Sequence, residues 1–291
     1  MRSSGLWKSL ENRMKESDGI MLFHDCSSQI YWWLKKQRHV KEESLTDWLL
    51  YQVSEKCPDI YYQAFTKHEE AENGCDWEWW ILTSDMYSEE YCAYRFLVQA
   101  KKLYPYTRDN YPLLSYSNKN GMQIDLLINE AKYKDALPLY MFYSTGESDI
   151  NEQMKNNPWL SEGTFRWCED CENGCYISLA SSVYELLFGG SRRKILDGDL
   201  LNCSFKLSLC DLLFVRDAER LLNKMNQILI QKEQSRNNPP GVIGIKHYKK
   251  GTPDYLKMFV ERREEDLSWF ESEMRITDIG GIGVIDLRRK E

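Results

Sequence analysis

Residues 75–101 run CDWEWWILTSDMYSEEYCAYRFLVQAK. Two stretches rich in aromatic and β-favouring residues, Cys75–Thr83 and Tyr91–Lys101, flank the polar segment Ser84–Glu90. That is the pattern of two strands joined by a turn. Side chains alternate along a strand, so Asp76 and Glu78 share a face, and so do Gln99 and Lys101. Pairing the two strands as a hairpin can bring these four polar residues together.

The flanking sequence supplies the rest of a core. In Lys41–Lys56, Leu45, Trp48, Leu49 and Val53 recur with helical spacing, and Cys57-Pro58-Asp59 ends the helix. Ile60–Thr66 reads as a strand. Lys119–Lys134 reads as a helix, and Leu137–Tyr143 as a strand apolar enough to be central. Residues 41–143 therefore read α-β-β-β-α-β. The first three strands are expected to form an antiparallel meander, and the second helix to cross over to the fourth strand. The fold class is α/β (α+β) with a mixed sheet.

Two short helical stretches, Leu6–Met14 and Gln29–Arg38, make residues 1–40 a helical N-terminal extension. Beyond Ser144 the periodicity weakens. Cys175–Ala180 is ambiguous, Asp211–Gln231 and Pro253–Met274 read as helices, and Gly283–Leu287 as a terminal strand. Gly280-Gly281-Ile282-Gly283 reads as a turn before that strand. The organisation expected is 1–40, a core over 41–145, and a C-terminal extension over 146–291 that can pack on the core, with a linker near 235–240 (SRNNPP).

Composition bounds the function. The chain has 291 residues, 42% hydrophobic and 29% charged, so it encloses a core rather than staying disordered. No apolar run approaches the roughly 20 residues of a membrane helix, and residues 1–19 carry no secretory h-region. A cytoplasmic protein without membrane contact is expected. The net charge of −7 excludes a broad basic coat. It does not exclude nucleic acid, whose phosphates can be met by a local patch. Lys102, Arg108 and Lys119 near the core, and the cluster Lys246–Lys250, are the candidates for that patch. The nine Cys are an odd number without secretory context. Cys168, Cys171 and Cys175 have zinc-like spacing but make three ligands of the four that a closed site needs, so free thiols rather than zinc are expected.

Asp76, Glu78, Gln99 and Lys101, with Glu43 on the helix that opens the core, suit one chemistry. In-line phosphodiester hydrolysis needs a hard cation to hold the phosphate and acidify the attacking water. Mg²⁺ takes oxygen ligands, commonly one or two carboxylates plus waters. Asp76 is the principal ligand expected, Gln99 offers a carbonyl oxygen, and Lys101 orients the nucleophile and stabilises developing charge.

The element order, Glu43-Ser44-Leu45-Thr46-Asp47, Gly74-Cys75-Asp76-Trp77-Glu78-Trp79-Trp80 and Val98-Gln99-Ala100-Lys101 resemble the PD-(D/E)XK nuclease superfamily over residues 40–145. They are similar to uncharacterised bacterial proteins of that superfamily, some encoded near defence genes. The resemblance implies a restriction-endonuclease-like fold and a Mg²⁺- or Mn²⁺-dependent endonuclease acting on DNA, with a place in antiviral defence. It implies Asp76 as the metal-binding Asp, Lys101 as the motif lysine and Glu43 as the accessory Glu. Gln99 stands where an Asp or Glu is usual, so this is a QxK variant, and Glu78 is the residue expected to compensate as a metal ligand. The alternative is a catalytically inactive nuclease fold acting as a nucleic-acid or protein-binding module. A protein partner or a homo-oligomer, engaged through the aromatic surface, is a third reading.

Overall fold

The structure is a computed structural model. It describes residues 21–64, 74–84, 91–104, 110–145, 173–189, 195, 199–200, 206–208, 253, 255–256 and 280–288. Helix α1 covers residues 21–36 and α2 covers Glu42–Lys56. Strand β1 is Ile60–Ala64, β2 is Trp77–Ser84 and β3 is Tyr91–Lys102. A single turn, α3 (Tyr111–Leu114), and a two-residue ladder, β4 (Ser117–Asn118) with β5 (Gly121–Met122), lead into α4 (Gln123–Tyr133). The ladder takes up the start of the helix expected from Lys119. Strands β6 (Leu137–Tyr143) and β7 (Cys175–Leu179), helix α5 (Ala180–Phe188), and strands β8 (Lys206–Ser208) and β9 (Gly281–Leu287) follow.

Seven strands form one mixed sheet in the order β1-β9-β2-β3-β6-β7-β8. The β2–β3 hairpin is antiparallel and pairs Trp77 with Val98. Strand β6 lies parallel to β3 after the α4 crossover, as the sequence pattern suggested. The meander differs. Strand β9 inserts between β1 and β2, antiparallel to β1 and parallel to β2. Gly283 makes this possible: it pairs with Trp79, and a Cβ there would collide with the Trp79 indole. Gly281 and Gly283, expected in a turn, are thus inside the strand, and Gly280 precedes it. Strands β7, β8 and β9 continue the same sheet, so residue 145 is not an edge of it.

Both faces of the sheet are covered. On one, Phe23, Ile30 and Leu34 of α1 and Leu45, Leu49 and Val53 of α2 pack against Trp77, Trp79, Phe96, Val98 and Met141. On the other, Ile124, Leu127 and Ala131 of α4 and Val183 of α5 pack against Trp80, Leu97, Tyr140 and Phe142. A strand covered on both faces needs apolar residues throughout, and all seven residues of β6 are buried. The expected helices at Leu6–Met14 and Asp211–Gln231, most of the one at Pro253–Met274, and the linker near 235–240 lie outside the described residues. Among the described residues no helix is long and apolar enough to cross a membrane.

Candidate functional site

Asp76 immediately precedes β2, at the mouth of the hairpin. Its backbone is tied on both sides: its N–H donates to Val98 O at 2.8 Å, and its carbonyl accepts from Gly280 N–H at 2.7 Å. The approach to it is shaped by Gly74, whose φ of +72° suits a residue without a side chain. A Cβ on Gly74 would lie 2.9 Å from Leu127 N of α4. The hairpin, β9 and α4 together therefore set the position of one carboxylate.

The carboxylate Oδ2 of Asp76 accepts from Gln99 Nε2 at 2.5 Å and from Ala100 N–H at 2.8 Å. Gln99 is 1% exposed, and its Nε2 also donates to Ala100 O at 3.0 Å. Its Oε1 is buried without a hydrogen-bond partner among the described residues. Lys101, on the same strand, is half-buried. Its Nζ lies 3.9 Å from Glu42 Oε1. Glu42 Oε2 accepts from Lys102 N–H, so one carboxylate of α2 spans the backbone and the side chain at the end of β3.

The hairpin mouth and α2 enclose a cavity of about 170 Å³. Its lining includes Glu42, Glu43, Asp47 and Asp76, and no Lys or Arg lines it among the described residues. The charge surplus shows in Glu42. Burial raises its carboxyl to about 7, and Asp76 and Glu43 push the same way against Lys101 and the Lys102 N–H. A buried carboxylate near other acids resists ionisation for both reasons. The second rim of the cavity is aromatic: Tyr62 OH donates to Asp47 Oδ1 at 3.3 Å.

The hairpin therefore brings Asp76 and Gln99 into direct contact, and Glu43 lines the same cavity as an exposed residue. Lys101 joins this group through Glu42, which the reading of the sequence passed over in favour of its neighbour. The helix phase was the available signal. Glu42 lies three, four and seven residues before the buried Leu45, Thr46 and Leu49, on the stripe that faces the sheet.

Glu78 is not part of the group. It is fully buried. Its Oε1 accepts from Trp80 Nε1 and from Tyr255 OH at 2.5 Å, and its Oε2 from Arg95 Nε at 2.9 Å and from Arg95 NH2. Every lone-pair direction is committed to the protein, so Glu78 cannot compensate for Gln99 as a ligand. Lys102 is likewise withdrawn from phosphate contact: its ammonium donates to the carbonyls of Arg38 and Val40. Lys119 is exposed, whereas Arg108 and Lys246–Lys250 lie outside the described residues. Cys175 is a buried β7 residue whose thiol burial pushes up to about 12, and Cys168 and Cys171 lie outside the described residues.

The donor set suits a hydrated divalent cation better than a dehydrated one. Among the described residues no three His, Cys, Asp or Glu side chains stand ready as a preformed cage. The carboxylates of Glu42, Glu43, Asp47 and Asp76 around one cavity are oxygen donors, the type taken by an ion that keeps several waters, as Mg²⁺ does.

Fold and site together define a three-layer α/β/α protein with an acidic cavity at the mouth of its central hairpin. The chain belongs to a family of unknown function, DUF6615, whose model matches residues 20–280. No curated protein and no solved structure matches it.

Proposed function

We propose that this protein is a metal-dependent nuclease that hydrolyses phosphodiester bonds in DNA. The observation that carries the reading is a cavity lined by Asp76 of the hairpin mouth and Glu42 and Glu43 of the facing helix, with Gln99 in contact with Asp76 and Lys101 beside Glu42. Asp76, Glu42 and Glu43 would hold the divalent cation; Gln99, whose nitrogen faces Asp76, would orient that carboxylate rather than bind the ion. Bound there, a hard cation supplies Lewis acidity to the phosphate and acidifies a water.

The chain's own residues do the rest. The Asp76 carboxylate is oriented by the Ala100 N–H and the Gln99 amide before any ligand arrives, which removes the reorganisation otherwise needed at each turnover. The Lys101 ammonium, beside Glu42, would attract a phosphate oxygen and the attacking water. Trp77 and Ala100 form an apolar wall that limits competing water.

A second reading is favoured by one observation. Gln99 presents its nitrogen, not its oxygen, to Asp76. That arrangement needs no cation and is compatible with a nuclease fold that binds nucleic acid without cutting it. Incubation of supercoiled plasmid with the full chain and Mg²⁺ or Mn²⁺, with and without EDTA, separates the two. The nuclease reading expects nicking or linearisation that EDTA stops and that Asp76→Asn removes. Absence of cutting with both metals, or undiminished cutting by Asp76→Asn, contradicts it.

A further inference from the structure

The connection from α1 to α2 reads Lys35-Lys36-Gln37-Arg38-His39-Val40-Lys41. Four permanent cations and a histidine fall within seven residues, with no acid among them. Lys35, Lys36, Arg38, His39 and Lys41 are all exposed. Lys36, Gln37, Arg38, His39 and Val40 line a surface hollow of about 590 Å³. On a protein of net charge −7 this is a concentrated exception.

The turn is held in shape. Gln37 N–H donates to Trp33 O at 2.7 Å and Val40 N–H to Gln37 O at 3.2 Å. The buried ammonium of Lys102 donates to the carbonyls of Arg38 and Val40, the latter at 2.8 Å. Burying a lysine to fasten a polar turn is costly unless each proton finds an acceptor. Here it fastens the basic turn to the strand end that carries Lys101, one residue away. The backbone is thus fixed while the side chains of Lys35, Lys36, Arg38 and Lys41 are exposed around it, Lys35 over the Tyr31 ring. One turn of α1 before Lys36 stands Trp32, half-exposed and in an edge contact with Tyr31, an aromatic of the kind on which bases stack.

We propose that residues 35–41 form a nucleic-acid backbone-binding surface that leads a strand onto the acidic cavity. The proposal rests on the nuclease reading only for its direction towards that cavity. The surface itself follows from charge, exposure and a pinned backbone. It resolves a conflict inside the site: a polyanion approaching Glu42, Glu43, Asp47 and Asp76 is repelled, and a cationic surface fastened beside them offsets that repulsion over the Debye length of about 10 Å. Phosphate attraction of this kind is independent of sequence and is read by its salt dependence.

The test uses the full chain in EDTA, so that binding is measured without cleavage. A fluorescein-labelled 20-base-pair duplex and its single strand serve as probes, at about 0.05–0.2 M salt. The triple variant Lys36→Gln, Arg38→Gln, Lys41→Gln should weaken binding about tenfold or more at the middle of that range. It should also flatten the slope of log affinity against log salt by about 2.7 for the duplex, roughly 0.9 for each of three lost phosphate contacts. Its melting temperature should match wild type, because only exposed side chains change. Lys36→Arg with Lys41→Arg should retain binding. Lys132→Gln, on α4 across the sheet, should leave it unchanged. Binding of the triple variant within twofold of wild type at an unaltered slope overturns the proposal, as does failure of the wild type to bind either probe. If the wild type binds through these cations yet never cuts with Mg²⁺ or Mn²⁺, the surface stands and the nuclease reading falls. If it cuts while the triple variant binds as tightly, the surface falls and the nuclease reading stands.

Discussion

Asp76 and Glu78 are two residues apart at the start of one strand, and they live in opposite electrostatic worlds. Glu78 is sealed in the sheet-to-α4 layer, where Arg95 neutralises it and Trp80 and Tyr255 complete its hydrogen bonds. Asp76 sits at the strand mouth among Glu42, Glu43 and Asp47, and accepts from the Gln99 amide and the Ala100 N–H. One acid is satisfied by the protein and serves the fold. The other belongs to a group with surplus negative charge, and that surplus suits a ligand. Composition and spacing treat the two alike; burial and partners separate them.

The largest effect should come from breaking the sealed pair. Glu78→Ala leaves the Arg95 guanidinium, nearly buried, without its counter-charge. Removal of one partner from a buried pair costs about 3–5 kcal/mol, so this variant should melt far below wild type in thermal or urea unfolding. Asp76→Asn keeps an oxygen for the Ala100 N–H and should change stability by less than about 1 kcal/mol. Equal losses for the two variants would erase the distinction.

Next in size is a pH effect at the acidic mouth. Glu42 is raised from its ordinary range to about 7, so the folded protein holds its proton over a window where the unfolded chain has lost it. Its contribution to stability without added metal should therefore be fully present below about pH 4.5 and be lost as pH rises to about 7, by up to roughly 3 kcal/mol. Glu42→Gln should flatten that fall. Denaturant midpoints measured across the window in EDTA check both statements. A smaller loss than that of Glu78→Ala is expected for Tyr255→Phe, which removes one donor from Glu78 while leaving Arg95 and Trp80 in place. A charge-assisted hydrogen bond of this kind contributes about 1.5–3 kcal/mol at most, and the remaining donors should hold the loss towards the lower end.

What could be read from the sequence was local. The hairpin, the α2 stripe and the all-apolar β6 follow from periodicities of 2 and 3.6 within single segments. Insertion of β9 between β1 and β2 is a pairing across some two hundred residues, and the seven residues GIGVIDL carry no statement of their partners. Gly283 is the trace it left, since a glycine there makes room for Trp79, but the glycine gains meaning only once the two are known to be opposite. The site was legible in the same measure. Asp76 and Gln99 meet because register follows from the hairpin. Glu78 was misassigned because alternation reports a face and not the partner across it. The clue was Arg95: with Trp77 opposite Val98, Arg95 pairs with Trp80 and so lies diagonal to Glu78. Choosing between Glu42 and Glu43 required helix phase relative to the sheet, which sequence resemblance does not convey.

The central claim is that the acidic mouth is a divalent-cation site and the sealed acid is not. Titration of Mn²⁺ into the full chain, followed by calorimetry, tests it most directly, with Asp76→Asn and the folded Tyr255→Phe variant alongside wild type. The account predicts saturable binding by wild type and by Tyr255→Phe, and its loss in Asp76→Asn. Binding that survives Asp76→Asn unchanged, or no binding by wild type, would contradict it.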